Sequence, residues 1–292
     1  MRHCKLPCGT AIPVLGLGTW RMGESARRRR SEVKAVRDAL AMGYRLIDTA
    51  EMYGAGGAET VVGAALADAL RAGDLRRDEL FVVSKVLPHN ASRTGTLAAC
   101  DRSRARLGLD RIDLYLLHWR GSYALRQTCA AMLELIARKH ISHWGVSNFD
   151  TSDMNELRAV LAELGIARGT TADCATNQVY YSVRARGPEF SLLPWMRAQR
   201  MPLMAYSPID QGALAAEPAL RAMARRRGLS AAQLALAWVL AQESVIAIPK
   251  SVRESHLREN LAAAQVELSA RDLAEFDERF PPPRRETTLD VL

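Results

Sequence analysis

Eight short apolar runs recur along the chain, separated by longer stretches with helical periodicity, and this rhythm narrows the possible folds more than any other feature. The runs cover residues 15–19, 44–48, 80–85, 112–118, 141–147, 174–178, 202–206 and 245–250. Half-exposed antiparallel strands would alternate apolar and polar residues, whereas these runs are nearly continuous, as parallel strands buried on both faces are. Between them lie amphipathic stripes that end at a glycine: Val33, Val36 and Leu40 before Gly43, then Val62, Leu66 and Leu70 before Gly73, then Leu157, Leu161 and Leu164 before Gly165. Leu234, Leu236, Trp238 and Leu240 mark a largely buried helix. The runs start about 33 residues apart on average, the period of a strand–helix unit. Eight such units predict an α/β fold, a (β/α)8 TIM barrel closed so that no sheet edge is left over. Residues 6–14, with the turn signal Cys8-Gly9-Thr10-Ala11, read as a short N-terminal β-hairpin capping the barrel bottom. With no linker, internal repeat or low-complexity tract, residues 1–292 read as a single domain.

The chain is 48% hydrophobic and 25% charged, which excludes disorder and supplies a large core. No window approaches the ~18 uncharged apolar residues of a membrane span, and the first residues lack the apolar core of a secretory signal. The expectation is a cytoplasmic protein with no membrane partner. Five scattered cysteines, Cys4, Cys8, Cys100, Cys129 and Cys174, form neither a disulfide framework nor a metal-ligand pattern, so no metal is expected. The net charge of +8 raises the question of nucleic acid. The basic clusters at 27–30, 225–227 and 284–285 lack interleaved aromatics, however, and read as solvated surface with no specific nucleic-acid partner. No long apolar surface stripe stands out, which favours a monomer. Of the 40 cations only five are lysines: Lys5, Lys34, Lys85, Lys139 and Lys250. A lysine in an unusual setting therefore stands out.

In such barrels the active site gathers at the C-terminal ends of the strands. Read in order, those ends carry Asp48, Lys85, His118, Ser147 with Asn148, Gln178, Tyr206 with Ser207, and Lys250 with Ser251. So many polar groups around one rim need partners or a ligand. Tyr53 follows Asp48 by five residues, on the loop after the second strand. A Tyr, Lys, Asp and His converging there suit proton transfer to a carbonyl oxygen. A nearby ammonium favours the ionised form of a tyrosine and brings its pKa toward working pH, Asp48 would hold Lys85, and His118 would donate a hydrogen bond to the oxygen as charge develops. Neither a glycosidase carboxylate pair nor a Gly-x-Ser-x-Gly elbow is present. Residues 54–57, Gly-Ala-Gly-Gly, lack the Lys-Ser/Thr of a phosphate loop and read as a flexible lead into the next helix.

These residues resemble the aldo-keto reductase family over essentially the whole chain. Leu-Gly-Leu-Gly-Thr-Trp at 15–20 and Ile-Asp-Thr-Ala-Glu-Met-Tyr-Gly at 47–54 are similar to its first strand and its Asp/Tyr signature. Ser-Lys at 84–85, Leu-His-Trp at 117–119, Gly-Val-Ser-Asn at 145–148, Asn-Gln at 177–178, Ala-Tyr-Ser-Pro at 205–208, Ile-Pro-Lys-Ser at 248–251 and Arg-Glu-Asn at 258–260 complete the pattern. The resemblance implies NADP(H) as cofactor and a small-molecule carbonyl substrate, with Tyr53 as general acid, Lys85 lowering its pKa, Asp48 supporting Lys85 and His118 orienting the carbonyl. It implies that Tyr206 stacks on the nicotinamide while Ser147, Asn148 and Gln178 hold the carboxamide. Further cofactor contacts would come from Gly18, Thr19, Trp20 and Asp48, from Ser207, Pro208, Ile209 and Gln211, and from Lys250, Ser251, His256, Glu259 and Asn260. Trp20, Met52, Tyr53, His118 and Trp119 would meet the substrate, with Met22 and Tyr123 lining the same cleft.

The chain departs from the pattern at His256, where many members carry an arginine, so NADPH preference is expected to be weaker, with Arg253 as possible compensation. Arg120 replaces a frequent proline and is a candidate to attract a polar carbonyl. Residues 50–54 and 192–195 resemble bacterial members that reduce methylglyoxal and small aldehydes. The alternative reading is a regulatory subunit of the same fold that senses cofactor with little turnover.

Overall fold

The computed structural model describes residues 2–292. Eight parallel strands follow one another around a barrel in chain order. After the hairpin strands β1 (His3–Lys5) and β2 (Ala11–Pro13) they are β3 (Gly16–Gly18), β4 (Leu46–Asp48), β5 (Phe81–Val86) and β6 (Ile112–Leu117), then β7 (Ile141–Ser147), β8 (Cys174–Tyr180), β9 (Leu203–Tyr206) and β10 (Val245–Ala247). The barrel closes where β3 meets β10. Leu15 bridges Ala247 and Gly18 bridges Lys250, and the Gly18 N–H donates to the Pro249 carbonyl at 3.0 Å. A Cβ on Gly18 would lie 2.6 Å from the Ile248 carbonyl oxygen, so glycine is what lets the first strand come this close to the last.

Outside the sheet run α1 (Ala26–Ala41), α2 (Gly57–Ala72), α3 (Arg93–Leu107), α4 (Leu125–Ala137), α5 (Thr151–Glu163), α6 (Leu192–Ala198), α7 (Pro218–Arg225), α8 (Ala231–Ala241), α9 (Glu254–Ala263) and α10 (Ala270–Arg279). The glycines read as helix stops, Gly43, Gly73 and Gly165, all have positive φ. Two helices exceed the strand–helix rhythm: α7, inserted before α8, and α10, which follows α9. No helix among the described residues is long and apolar enough to cross a membrane.

The antiparallel hairpin is present, but it begins at His3, three residues before the expected start, with Cys4 opposite Ile12. Its turn is closed by the Leu6 N–H to the Thr10 carbonyl at 2.9 Å and the Gly9 N–H to the Leu6 carbonyl at 2.8 Å. Leu6 and Ile12 pack inside the barrel against Leu46, Phe81, Val83, Leu114 and Ile246, so the hairpin plugs one end of it. A larger apolar layer fills the space between the outer faces of the strands and the helices.

The turn into α2 differs from the sequence expectation. Gly54, Ala55 and Gly56 have φ of 57°, 50° and 88°, and a Cβ on Gly57 would stand 2.3 Å from the Gly23 carbonyl oxygen. These glycines serve a tight backbone contact with the loop after β3, so the stretch is packed and not a flexible lead.

Replacing Ile12, fully buried in the plug, by alanine should lower the unfolding free energy by about 2–5 kcal/mol. Urea denaturation measures this; a loss well under 1 kcal/mol would mean the hairpin adds little to the core.

Candidate functional site

A cavity of about 780 Å³ opens over the C-terminal ends of the strands. It is lined by Trp20, Met52, Tyr53, His118 and Trp119 and also by Arg221, Arg225, His256 and Asn260 of α7 and α9. Most cofactor and substrate residues expected from the sequence line it, including Gly18, Thr19, Asp48, Ser147, Asn148, Gln178, Tyr206, Ser207, Pro208, Ile209, Gln211, Lys250, Ser251 and Glu259; Met22, Tyr123 and Arg253 do not. Lys85 lies beneath the wall and is fully buried.

Strand geometry explains the convergence. Asp48 ends β4 opposite Val83, and Lys85 lies two residues further along neighbouring β5 on the same face, so the two side chains converge at the C-terminal end of the barrel. The Lys85 ammonium donates to Asp48 Oδ2 at 2.7 Å, to the Thr49 carbonyl at 2.9 Å and to the Tyr53 hydroxyl at 3.2 Å. An ammonium can only donate, so the Tyr53 oxygen accepts from it and the phenolic proton is directed elsewhere. Asp48 Oδ1 accepts from the Gln178 amide at 2.8 Å. The His118 ring meets Tyr53 edge-on at 5.7 Å and Trp119 at 4.9 Å, and its Nδ1 is buried without a hydrogen-bond partner.

Burial opposes the Lys85 charge, but Asp48 and Tyr53 together outweigh it and hold the ammonium above its ordinary pKa. For Tyr53 the sequence expectation is corrected. Lys85 does pull its pKa down, yet burial of the ring pushes harder, aided by Asp48, and the net direction is upward. Tyr53 is therefore a protonated phenol at neutral pH. Burial, reinforced by the Lys85 charge, pushes the His118 pKa well below the usual histidine value, so its imidazole is neutral.

The residues expected to hold a carboxamide are connected to one another. Ser147 Oγ donates to the Gln178 carbonyl at 2.7 Å, Asn148 Nδ2 to the His118 carbonyl at 3.1 Å, and the Tyr206 hydroxyl to Asn148 Oδ1 at 3.0 Å. Tyr206 also stacks on Tyr180 at 5.8 Å. Arg21, Asn148, Ser207 and Gln211 line the cavity and have positive φ, unusual for residues with side chains. Such conformations cluster at functional sites.

Several expectations about the periphery change. Arg120 is outside the cavity and pairs with Glu156 at 2.9 Å. Arg253 precedes the first residue of α9, Met22 is fully buried, and neither they nor Tyr123 line the cavity. Arg21, Arg221, Arg225, Ser230 and Leu292, which the sequence reading did not place, do line it. Arg225 belongs to a basic run read as solvated surface. All three arginines of that run are exposed as read, Arg226 and Arg227 pairing with Glu275 and Asp272, and Arg225 in addition borders the cavity. Burial lowers the Lys250 pKa, with Glu32 and Glu24 opposing and Arg28 and Arg21 reinforcing the shift.

The sequence pattern of the Aldo/keto reductase family matches residues 14–279, so the chain belongs to that family of oxidoreductases. It is 45% identical to methylglyoxal reductase YeaE of Escherichia coli K12 over 287 residues, covering 97% of this chain and 96% of that protein. Glyoxal reductase of Bacillus subtilis is 34% identical, covering 94% and 91%. The crystal structure of aldo/keto reductase from Klebsiella pneumoniae in complex with NADP and acetate is 42% identical, with a TM-score of 0.89 over 99% of both chains.

With a lowered pKa, His118 should keep the neutral imidazole pattern in NMR spectra from about pH 6 to pH 8. A titration midpoint near the ordinary value of ~6.5 would show that burial does not control it.

Proposed function

We propose that this protein is an NADP(H)-dependent reductase of small aldehydes and ketones, α-oxoaldehydes such as methylglyoxal above all, with residues 1–292 acting as one domain. The observation that carries this reading is the chain of contacts from Asp48 through Lys85 to the Tyr53 hydroxyl, set beside His118 at the inner end of the cavity. The relatives support the substrate class, since two are named for reduction of methylglyoxal and glyoxal, and a solved neighbour contains NADP.

The cavity fits a phosphorylated dinucleotide. Its lining combines hydroxyl, amide and aromatic groups with the cations Lys250, Arg221 and Arg225. Ser147, Asn148, Gln178 and Tyr206 would hold the nicotinamide end; Lys250, Ser251 and the two arginines would meet phosphate, adding charge where His256 offers less. Bound NADPH supplies the hydride.

Tyr53 gives its proton to the carbonyl oxygen as negative charge develops there. Because Lys85 already occupies the hydroxyl oxygen as a donor, the phenolic proton faces the substrate, and the same ammonium stabilises the phenolate left behind. Asp48 keeps Lys85 charged and in place. The neutral His118 donates a ring N–H to the carbonyl oxygen and fixes its direction. Trp20, Met52 and Trp119 form the apolar wall that excludes water from the reacting carbonyl.

Purified protein should oxidise NADPH in the presence of methylglyoxal, followed as loss of absorbance at ~340 nm, and Tyr53→Phe should lose at least about 10²-fold in kcat while binding NADPH as before. Full activity in the variant would mean another group donates the proton. NADPH should be preferred over NADH in kcat/KM, and Arg225→Ala should narrow the difference. Comparable values for the two cofactors in the wild type would overturn the preference.

A further inference from the structure

The proton donor and the lysine that tunes it belong to different elements: Lys85 to β5, and Tyr53 to the loop after β4. Strand pairing holds that loop only at its root, and beyond Tyr53 the turn at Gly54 and Gly57 packs on the loop after β3. The backbone ladder between the Tyr53 loop and β5 weakens as it leaves the sheet. The Thr49 N–H reaches the Val83 carbonyl at 2.9 Å, but the next rung, from the Glu51 N–H to the Lys85 carbonyl, has stretched to 3.4 Å. Tyr53 lies two residues beyond that failing rung.

At this point the side chain of Glu51 takes over. Its Oε1 accepts from the Leu87 N–H at 2.8 Å and from Asn90 Nδ2 at 3.0 Å, both just past the end of β5, and Oε2 accepts from Arg102 at 3.5 Å. The carboxylate is buried, although the general acid–base chemistry makes no use of it. A second buried carboxylate, Glu59, anchors the far end of the same loop. It accepts from Ser84, the residue before Lys85, at 2.5 Å and from Arg106 at 2.6 Å. Arg102 and Arg106 lie one turn apart on α3. The loop bearing Tyr53 is thus tied to β5 and α3 on both sides of the tyrosine.

We propose that Glu51, with Glu59 as the second anchor, is a positioning residue for proton transfer, setting the Tyr53–Lys85 separation through the hydrogen bond to the Leu87 N–H. The inference rests on Tyr53 being the proton donor. Burying a carboxylate is costly, and here the return is a fixed distance between two groups on separate elements. If the staple is removed, Tyr53 drifts from Lys85, loses part of the attraction that lowers its pKa, and is less well aimed. The charged and titratable groups facing Tyr53 are Lys85, Asp48, His118 and Tyr206. Of these, Lys85 is the one that draws the tyrosine pKa down.

The test compares Glu51→Ala, Glu51→Asp and Glu51→Gln with wild type and Tyr53→Phe, measuring kcat with methylglyoxal against pH, the NADPH Kd by fluorescence, and Tm. Glutamine keeps the acceptor and should stay within about twofold of wild type. Alanine should lower kcat about tenfold and move the basic limb of the profile to higher pH, with the NADPH Kd unchanged, and aspartate, one methylene shorter, should fall between. Should the alanine variant not fold, aspartate against glutamine carries the same comparison. An unmoved basic limb in a folded alanine or aspartate variant overturns the proposal, because a purely structural role would reduce active protein without shifting the profile. A glutamine variant as impaired as alanine also overturns it, since charge and not the acceptor would then matter. If Tyr53→Phe is fully active, the donor assignment itself fails, an outcome separate from either of these.

Discussion

A lysine and an aspartate held together away from water are expensive to bury, and the site is organised around offsetting that cost. Isolated burial of either ion would be prohibitive, and the pair is tolerable only when its remaining hydrogen-bonding capacity is met. Lys85 has three N–H donors and three acceptors, on Asp48, Thr49 and Tyr53. The free oxygen of Asp48 takes the Gln178 amide. Each of those partners comes from a different position on the rim, so satisfying one buried ammonium brings β4, the loop after it, β5 and β8 into a common frame. The direction of the tyrosine proton follows from the same charge, which also reinforces the burial that keeps His118 neutral.

The architecture separates this demanding chemistry from the task of holding the barrel together. At one end the hairpin inserts Leu6 and Ile12 into an apolar interior. At the other, ionic and amide groups replace that interior layer, and several backbone positions with positive φ shape the rim. The strained and polar end depends on the apolar end, because residues in unfavourable conformations persist only where the surroundings over-determine them.

Much of this was legible in the chain. The spacing of apolar runs located all eight barrel strands, and β7 has the bounds read from sequence. The strands at the seam, β3 and β10, came out shorter than their apolar runs because they meet through single bridges at Leu15 and Lys250. The polar strand ends identified the rim, since their position in a parallel barrel determines where they face. What local pattern could not convey was the content of elements that break the rhythm. Arg221 and Arg225 are carried by α7, a helix outside the strand–helix repeat, so only its packing turns them towards the cavity. The direction of the Tyr53 pKa was misjudged because charge partners can be read from motifs, whereas the weight of burial depends on the assembled walls. The packed turn at 54–57 likewise needed Gly23, more than thirty residues away, to explain it.

The seam between β3 and β10 also sets an order of events during synthesis. Gly18 and Lys250 touch across it, and both line the cavity, so the contact that closes the sheet also forms part of the wall of the site. A nascent chain emerging from the ribosome can assemble β3 to β9 side by side, but until β10 has been released it retains two open edges and an unfinished cleft. The full cavity wall therefore forms only after the last strand, when α9 with His256, Glu259 and Asn260 has also been released, and a bound ligand would add to the stability of the closed barrel over its open precursor.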